Sequence, residues 1–262
     1  MIYVTGDIHG ELQRFRKKDF TEQKNMTKED YMIILGDFGV IWDEKESREE
    51  KYCLDILENK AFTTLFIDGN HENHDRLDSF PVMEWHGGKV HEIRPGVLHL
   101  MRGQLFTIEE KTFFSFGGAP SHDITGCAGK EELKRDYTAG ILRRDDPLFA
   151  QKKKQCQKQG LVFRIEGENW WRREMPSEQE MEEGIATLEK ADWNVDYVLT
   201  HDAPASTLFE LVGIEFPPNP LMKYLDGIKQ KLTYQKWFFG HYHDDRKVTE
   251  KDILMYYGML KI

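Results

Sequence analysis

The sequence predicts a mixed α/β fold. Three observations predict it: five short β-rich runs that each end on a polar residue, helical periodicities lying between them, and a crowd of hairpin-like runs in the middle of the chain. The five runs are IYVTGD at 2–7, YMIILGD at 31–37, TLFIDGN at 64–70, DYVLTH at 196–201 and KWFFGH at 236–241. A continuous apolar run stopped by Gly or Asp reads as a strand buried on both faces. Further runs, VLHLMRG at 97–103, QLFTI at 104–108, TFFSFGG at 112–118 and ILMYYG at 253–258, read as meander strands.

The helices follow from spacing and caps. Tyr52, Cys53, Ile56 and Leu57 recur with helical period inside 46–59. Ser177 with Glu180 forms a capping-box pattern ahead of Met181, Ile185 and Leu188. Asn219-Pro220 reads as an N-cap and first-turn pair leading into Leu221, Tyr224, Leu225 and Ile228. Residues 119–175 are different: they carry Lys152, Lys153, Lys154 and the pair Trp170-Trp171, but few strand signals. They read as a cap or insertion within a single domain spanning 1–262, and the lysine run as a solvated helix face.

Composition bounds what such a fold does. A chain of 262 residues buries a full core without disulfides or structural metal, and 39% hydrophobic with 31% charged residues marks an ordered globular protein. Lys plus Arg total 36 against 46 Asp plus Glu, a net charge of -10. Stable binding to duplex DNA is therefore not expected, because neutralising phosphates needs a basic surface. A small phosphorylated partner such as a nucleotide stays open, since bound cations reverse the local field. Cys53, Cys127 and Cys156 are odd in number and far apart, so neither a disulfide framework nor a thiolate zinc site is expected, which fits a reducing cytoplasm. The opening MIYVTGDIHG lacks the pattern of a signal peptide, and no apolar run is long enough to span a bilayer.

The chemistry gathers at the strand ends. In Asp7-Ile8-His9 the two outer side chains point the same way on an extended chain and can reach one metal. His241-Tyr242-His243 repeats that geometry with two imidazoles. Asp37 closes the second run with a carboxylate able to bridge two cations. Asn70 and His71 follow the third run, and His201 closes the fourth. Each pattern alone reads as a turn or a loop. Together they place Asp, Asn and His at the ends of five separate strands, where sites collect in α/β sheets. His74 reads as a surface residue, while Arg94, Arg164, His122 and Asp123 sit in loops or at the start of the cap and read as exposed or ion-paired, with substrate contact as the alternative for each of the five.

The set resembles the calcineurin-like metallophosphoesterases, whose motifs are GDxHG, GD, GNH(E/D), a lone His after a strand, and GHxH. They stand here in order as Gly6-Asp7-Ile8-His9-Gly10, Gly36-Asp37, Gly69-Asn70-His71-Glu72, Thr200-His201 and Gly240-His241-Tyr242-His243. The resemblance implies a four-layer α/β/β/α sandwich, two mixed sheets packed together with helices outside. It implies that Asp7, His9 and His243 bind one metal, that Asn70, His201 and His241 bind a second, and that Asp37 bridges them. His71 would stay unligated and act on the leaving group, with Glu72 as one group able to orient it. One departure is informative: Asp37 runs on into Phe38-Gly39-Val40 rather than into the Asp-Arg-Gly of the serine/threonine phosphatase branch. That branch's phosphate-gripping Arg is missing, and protein phosphatase activity is not expected.

A donor set of carboxylate, amide oxygen and imidazole suits two divalent transition-metal ions such as Mn, Fe, Zn or Ni. The expected function is a two-metal phosphoesterase, hydrolysing phosphomonoesters or phosphodiesters by in-line attack of a hydroxide held between the ions. The rivals are a nuclease acting on short single strands, which would need a basic groove near Lys152–Lys154, and a non-catalytic scaffold on the same fold, which would normally have lost ligands.

Overall fold

The computed structural model describes residues 1–122, 138–214 and 217–262. Its first half runs β1 (Ile2–Thr5), β2 (Tyr31–Leu35), α1 (Arg48–Glu58), β3 (Thr63–Ile67), α2 (His74–Leu77), β4 (Val82–Trp85), β5 (Gly88–Arg94), β6 (Val97–Leu100), β7 (Gln104–Ile108) and β8 (Lys111–Phe116). There follow β9 (Thr138–Leu142), α3 (Phe149–Gln159), β10 (Val162–Ile165), α4 (Glu178–Lys190), β11 (Tyr197–Thr200), α5 (Ala205–Val212) and α6 (Pro220–Lys229). The chain closes with β12 (Lys236–Phe239), β13 (Arg246–Lys247), β14 (Asp252–Leu254) and β15 (Met259–Lys261).

Two large mixed sheets result. One is ordered β15-β1-β2-β3-β6-β5-β4, the other β13-β14-β12-β11-β8-β7. The central strands are parallel in both: β1, β2, β3 and β6 in the first, β8, β11, β12 and β14 in the second. β9 and β10 pair separately as a short parallel ribbon.

The continuous apolar runs are explained by burial on both faces. In β2, Tyr31, Ile33 and Leu35 pack between the sheets against Phe106, Phe113 and Leu199, while Met32 and Ile34 face outward. Those outward residues meet Leu54 and Leu57 of α1. In the second sheet Val198, Trp237 and Phe239 face Leu188 of α4 and Leu221, Leu225 and Ile228 of α6. The order of layers is thus helix, sheet, sheet, helix, as expected.

Some local expectations change. In α1 the buried residues are Glu50, Leu54 and Leu57, at i, i+4 and i+7, whereas Tyr52 is 67% exposed. Glu50 belongs inside because its carboxylate is paired with Arg76 at 2.5 Å. The runs read as a meander divide between the sheets. β6 completes an antiparallel β4-β5-β6 meander but also pairs parallel with β3, and β7 with β8 forms a hairpin of the second sheet. The run at 253–258 is strand only within β14, because its next residues turn aside onto Gly6, whose N–H donates to the Tyr256 carbonyl at 3.1 Å. The Ser177–Glu180 capping box is fully formed, and the Asn219 side chain accepts from the Met222 N–H at 2.9 Å. Lys152 and Lys154 lie on the exposed side of α3. Among the described residues no helix is long and apolar enough to cross a membrane.

Candidate metal centre

The parallel strands β1, β2, β3, β11 and β12 all deliver polar residues at their carboxyl ends, and the two sheets meet there. The contact is direct: the His201 ring Nδ1 lies 2.7 Å from the carbonyl of Leu35 at the end of β2. A donating Nδ1–H in that position leaves Nε2 with a lone pair. Close approach explains the glycine that precedes two of the predicted ligands. A Cβ on Gly36, which has φ +90, would lie 2.1 Å from His201 Nδ1. A Cβ on Gly69 would lie 2.2 Å from Asp37 Oδ1 and 2.7 Å from His201 Nε2. The ligand loops are also bent sharply. His9 (φ 46), Asp37 (φ 42), His241 (φ 69) and His243 (φ 50) all take the left-handed conformation. For non-glycine residues this costs of order 1–3 kcal/mol each, and such strain concentrates at functional sites.

Six of the seven predicted ligands converge in two groups. Asp7, His9, Asp37 and His243 form one, and Asp37, His201 and His241 the other; within each, one ligand atom per residue lies within 4.8 Å of the rest. Asp37 belongs to both. Its Oδ1 is 3.2 Å from His201 Nε2, and its Oδ2 is 3.9 Å from His9 Nε2. His243 Nε2 approaches Asp7 Oδ2 at 3.1 Å and His9 Nε2 at 3.1 Å. Asn70, the seventh, follows Gly69, whose position fixes its backbone against the Asp37–His201 pair.

The residues fit divalent cations on independent grounds. Asp7 Oδ2, Asn70 Oδ1 and His201 Nε2 are buried without a hydrogen bond of regular geometry, Asp7 and His201 having only the close approaches of His243 and Asp37, although buried polar atoms are normally satisfied. Each belongs to a predicted ligand, and each is an atom that a hard or borderline metal accepts. The centre is closed below and open above: Asp7, Asp37, His201 and His241 are buried, whereas the side chains of His9 and His243 are 30% and 48% exposed. Without a cation, the acids and imidazoles hold one another. Burial would raise the Asp37 carboxyl, but His201, His71 and His241 hold it far below the usual carboxylate range. Burial likewise opposes a charge on His201, yet Asp37 and Asp7 lift it to about 10. His243 is raised by its bond to Asp7, and His9 is lowered by burial.

His71 stands beside both groups without joining either. Its ring is 5.0 Å from that of His9, and its backbone N–H donates to Asp37 Oδ1 at 2.8 Å. Glu72 does not orient it. The Glu72 carboxylate accepts from the Phe38 N–H (2.6 Å) and the Gly39 N–H (3.3 Å), so it holds the loop after Asp37. Burial, with Asp37 close by, pushes the Glu72 carboxyl well up.

His74 corrects the expectation of a surface residue. It is 3% exposed and part of a polar network behind β3, with Nδ1 4.0 Å from Asp68 Oδ2. Asp68 also accepts from Arg102 Nε at 2.9 Å and contacts His99 Nε2 at 3.2 Å, and His99 in turn meets His91 at 3.0 Å. The sequence held a weak sign of this network: polar residues inside otherwise apolar runs, at Asp68 in TLFIDGN and His99 in VLHL. Arg94 is ion-paired with Glu46, away from any ligand role in the two groups. From the 119–175 segment, the His122 ring lies 5.0 Å from the His241 ring, and Trp171 packs on Trp42. Asp123 and Cys127 lie outside the described residues.

The sequence model of the family described as Calcineurin-like phosphoesterase matches residues 1–245 of the chain. No curated protein sequence matches it.

Proposed function

The chain belongs to the calcineurin-like phosphoesterase family, and we propose on that premise that it is a metal-dependent hydrolase of small phosphomonoesters or phosphodiesters. One observation carries the reading: two ligand groups share the single carboxylate of Asp37. Asp7, His9 and His243 would hold one ion, Asn70, His201 and His241 the other, and Asp37 both. Four protein ligands would leave an ion of octahedral habit room for water and a substrate oxygen.

Bound there, divalent ions such as Mn, Fe, Zn or Ni supply Lewis acidity that activates water near neutral pH and neutralises phosphate charge. The chain's own residues do the rest. The open side, rimmed by His9, His71 and His243, admits the phosphate. His71, unligated and next to His9, protonates the leaving oxygen, a step worth roughly 10²–10⁴-fold for poor leaving groups. Segment 119–175 reaches the site through His122 and Trp171 and would help choose the substrate.

A nucleotide suits an acidic chain better than a long nucleic acid does. The nuclease alternative gains little from the lysine run, since Lys152 is paired with Asp146 at 2.5 Å and Lys153 lies over the Phe149 ring. A scaffold role is disfavoured by the full ligand set. The wide spacing of Cys53, Cys127 and Cys156 along the sequence suggests a reducing compartment such as the cytoplasm.

The test is a panel of Mn, Fe, Zn and Ni against p-nitrophenyl phosphate, bis(p-nitrophenyl) phosphate, a cyclic nucleotide and short single-stranded RNA. Turnover of a small ester that needs added metal and stops with chelator is expected. Protein that binds no divalent ion, or that hydrolyses esters equally well without one, would sink the reading.

A further inference from the structure

His71 needs to be aimed if it is to transfer a proton, yet among the described residues no hydrogen bond reaches its ring. The carboxylates nearest in sequence are engaged elsewhere: Glu72 holds the Phe38 and Gly39 N–H groups, Asp68 Oδ2 accepts from Arg102 Nε at 2.9 Å, and Asp75 Oδ2 accepts from Trp171 Nε1 at 3.1 Å. What the ring does touch is aromatic. Trp42 stacks on it with centroids 5.9 Å apart and planes inclined by 24°, an offset arrangement that aromatic pairs favour. The other contact, the edge of His9, belongs to the ligand set.

Trp42 is itself held at two points. Its carbonyl accepts from Asn73 Nδ2 at 3.0 Å, and the Asn73 N–H donates to the Ile41 carbonyl at 3.0 Å, so the loop carrying the indole is tied to the loop carrying His71. Its ring meets the edge of Trp171 at 5.3 Å. Trp171 is 3% exposed and fixed by its bond to Asp75. The turn after it is anchored too: the Glu174 carboxylate accepts from the Ser121 N–H at 2.9 Å and the Ser121 hydroxyl at 2.5 Å.

We propose that Trp42, buttressed by Trp171, is a positioning residue for the His71 imidazole. A stacked indole restricts rotation of the imidazole, a task that a hydrogen-bonded carboxylate performs in the Ser-His-Asp arrangement. The inference rests on the reading of His71 as proton donor. It also ties the 119–175 segment to the chemistry by packing alone.

The test combines a structural and a kinetic readout on the full chain, with Trp42→Leu, Trp42→Phe and Trp171→Phe. In metal-free protein, the carbon-bound His71 ring protons, assigned by their loss in His71→Gln, should carry a ring-current shift from the neighbouring indole. Trp42→Leu should remove that shift, and Trp42→Phe should keep part of it. In metal-loaded protein, Trp42→Leu should lower kcat roughly 10-fold or more on an alkyl phosphate ester and hardly at all on the p-nitrophenyl ester, which needs no proton. KM should change little, and Trp42→Phe should restore most of the rate. His71 resonances that ignore Trp42→Leu, or equal losses on both esters, would overturn the proposal. His71→Ala separates the two claims. If it also loses equally on both esters, the proton-donor reading fails; if it discriminates while Trp42→Leu does not, only the positioning role fails.

Discussion

The backbone N–H of His71 donates to Oδ1 of Asp37 at 2.8 Å, which ties the proposed proton donor to the proposed bridging carboxylate. The two residues are 34 apart in sequence and sit on the loops after adjacent parallel strands, β2 and β3. The register Leu35↔Ile67 brings those loops side by side. The candidate bridging carboxylate and the proposed proton donor are therefore positioned by one piece of sheet.

Asp37→Asn tests the shared ligand. The amide can still accept from the His71 N–H, so the loop should survive, but the charge common to both groups is gone. Metal content by elemental analysis should fall together with turnover. The loss should exceed the roughly 10–100-fold that removing an outer partner of a metal ligand costs. A variant that keeps two ions and normal turnover would show that Asp37 is not the bridge.

His71→Ala should behave oppositely in one respect. Both ions should remain, with turnover on unactivated esters down roughly 10²–10⁴-fold. Loss of one ion on titration calorimetry would instead make His71 a ligand.

Gly69→Ala tests the close approach. The new Cβ would sit 2.2 Å from Asp37 Oδ1, and neither the carboxylate nor His201 has room to retreat within a buried site. Overpacking of this kind costs about 1–3 kcal/mol, so Tm should drop and metal affinity should fall with it. Unchanged metal affinity would contradict the geometry.

Asp68→Ala tests the network behind β3. It leaves Arg102, 6% exposed, without its main counter-charge, although Glu180 remains 3.5 Å away. Breaking a buried pair costs about 3–5 kcal/mol, which urea unfolding at neutral pH would measure. A loss below 1 kcal/mol would mean that Glu180 compensates.

The same network makes stability pH-dependent. Burial pushes His74 down from 6.5 to about 3 and His91 to about 4. Above pH 6.5 both folded and unfolded states hold these rings neutral. As pH falls, the unfolded chain takes up the protons first, so stability falls between 6.5 and the folded values. For His74 alone the loss at pH 5 is about 2 kcal/mol. His74→Gln should flatten the dependence of unfolding free energy over pH 5–6.5 by about one proton's worth, roughly 1.4 kcal/mol per pH unit. An unaltered slope would place a charged or solvated ring at 74.

Much of the candidate site was legible in the sequence because the candidate ligands are short, polar and stationed where apolar runs stop. Asp7, Asp37, His201 and His241 each break a hydrophobic pattern, and such breaks are visible locally. Trp42, Trp171 and His74 were not legible as site neighbours. A tryptophan reads as core wherever it stands, and a histidine after a loop reads as surface unless its partners are known. Those partners, Asp75 for Trp171 and Asp68 for His74, lie 96 and 6 residues away. Tyr52 was misplaced for a related reason: helical spacing gives the angle between residues but not which side meets the sheet, and the Glu50–Arg76 pair settled that.

The linear chain alone decides which segments become buried parallel strands and which donor atoms end them, because hydrophobic period and residue type are local properties. Only the folded chain decides that the two sheets touch at their carboxyl ends, that Asp37 is shared between two groups, and that His71 rests on an indole instead of a carboxylate. Those outcomes depend on strand register and on contacts between residues tens to hundreds of positions apart, which no local pattern encodes.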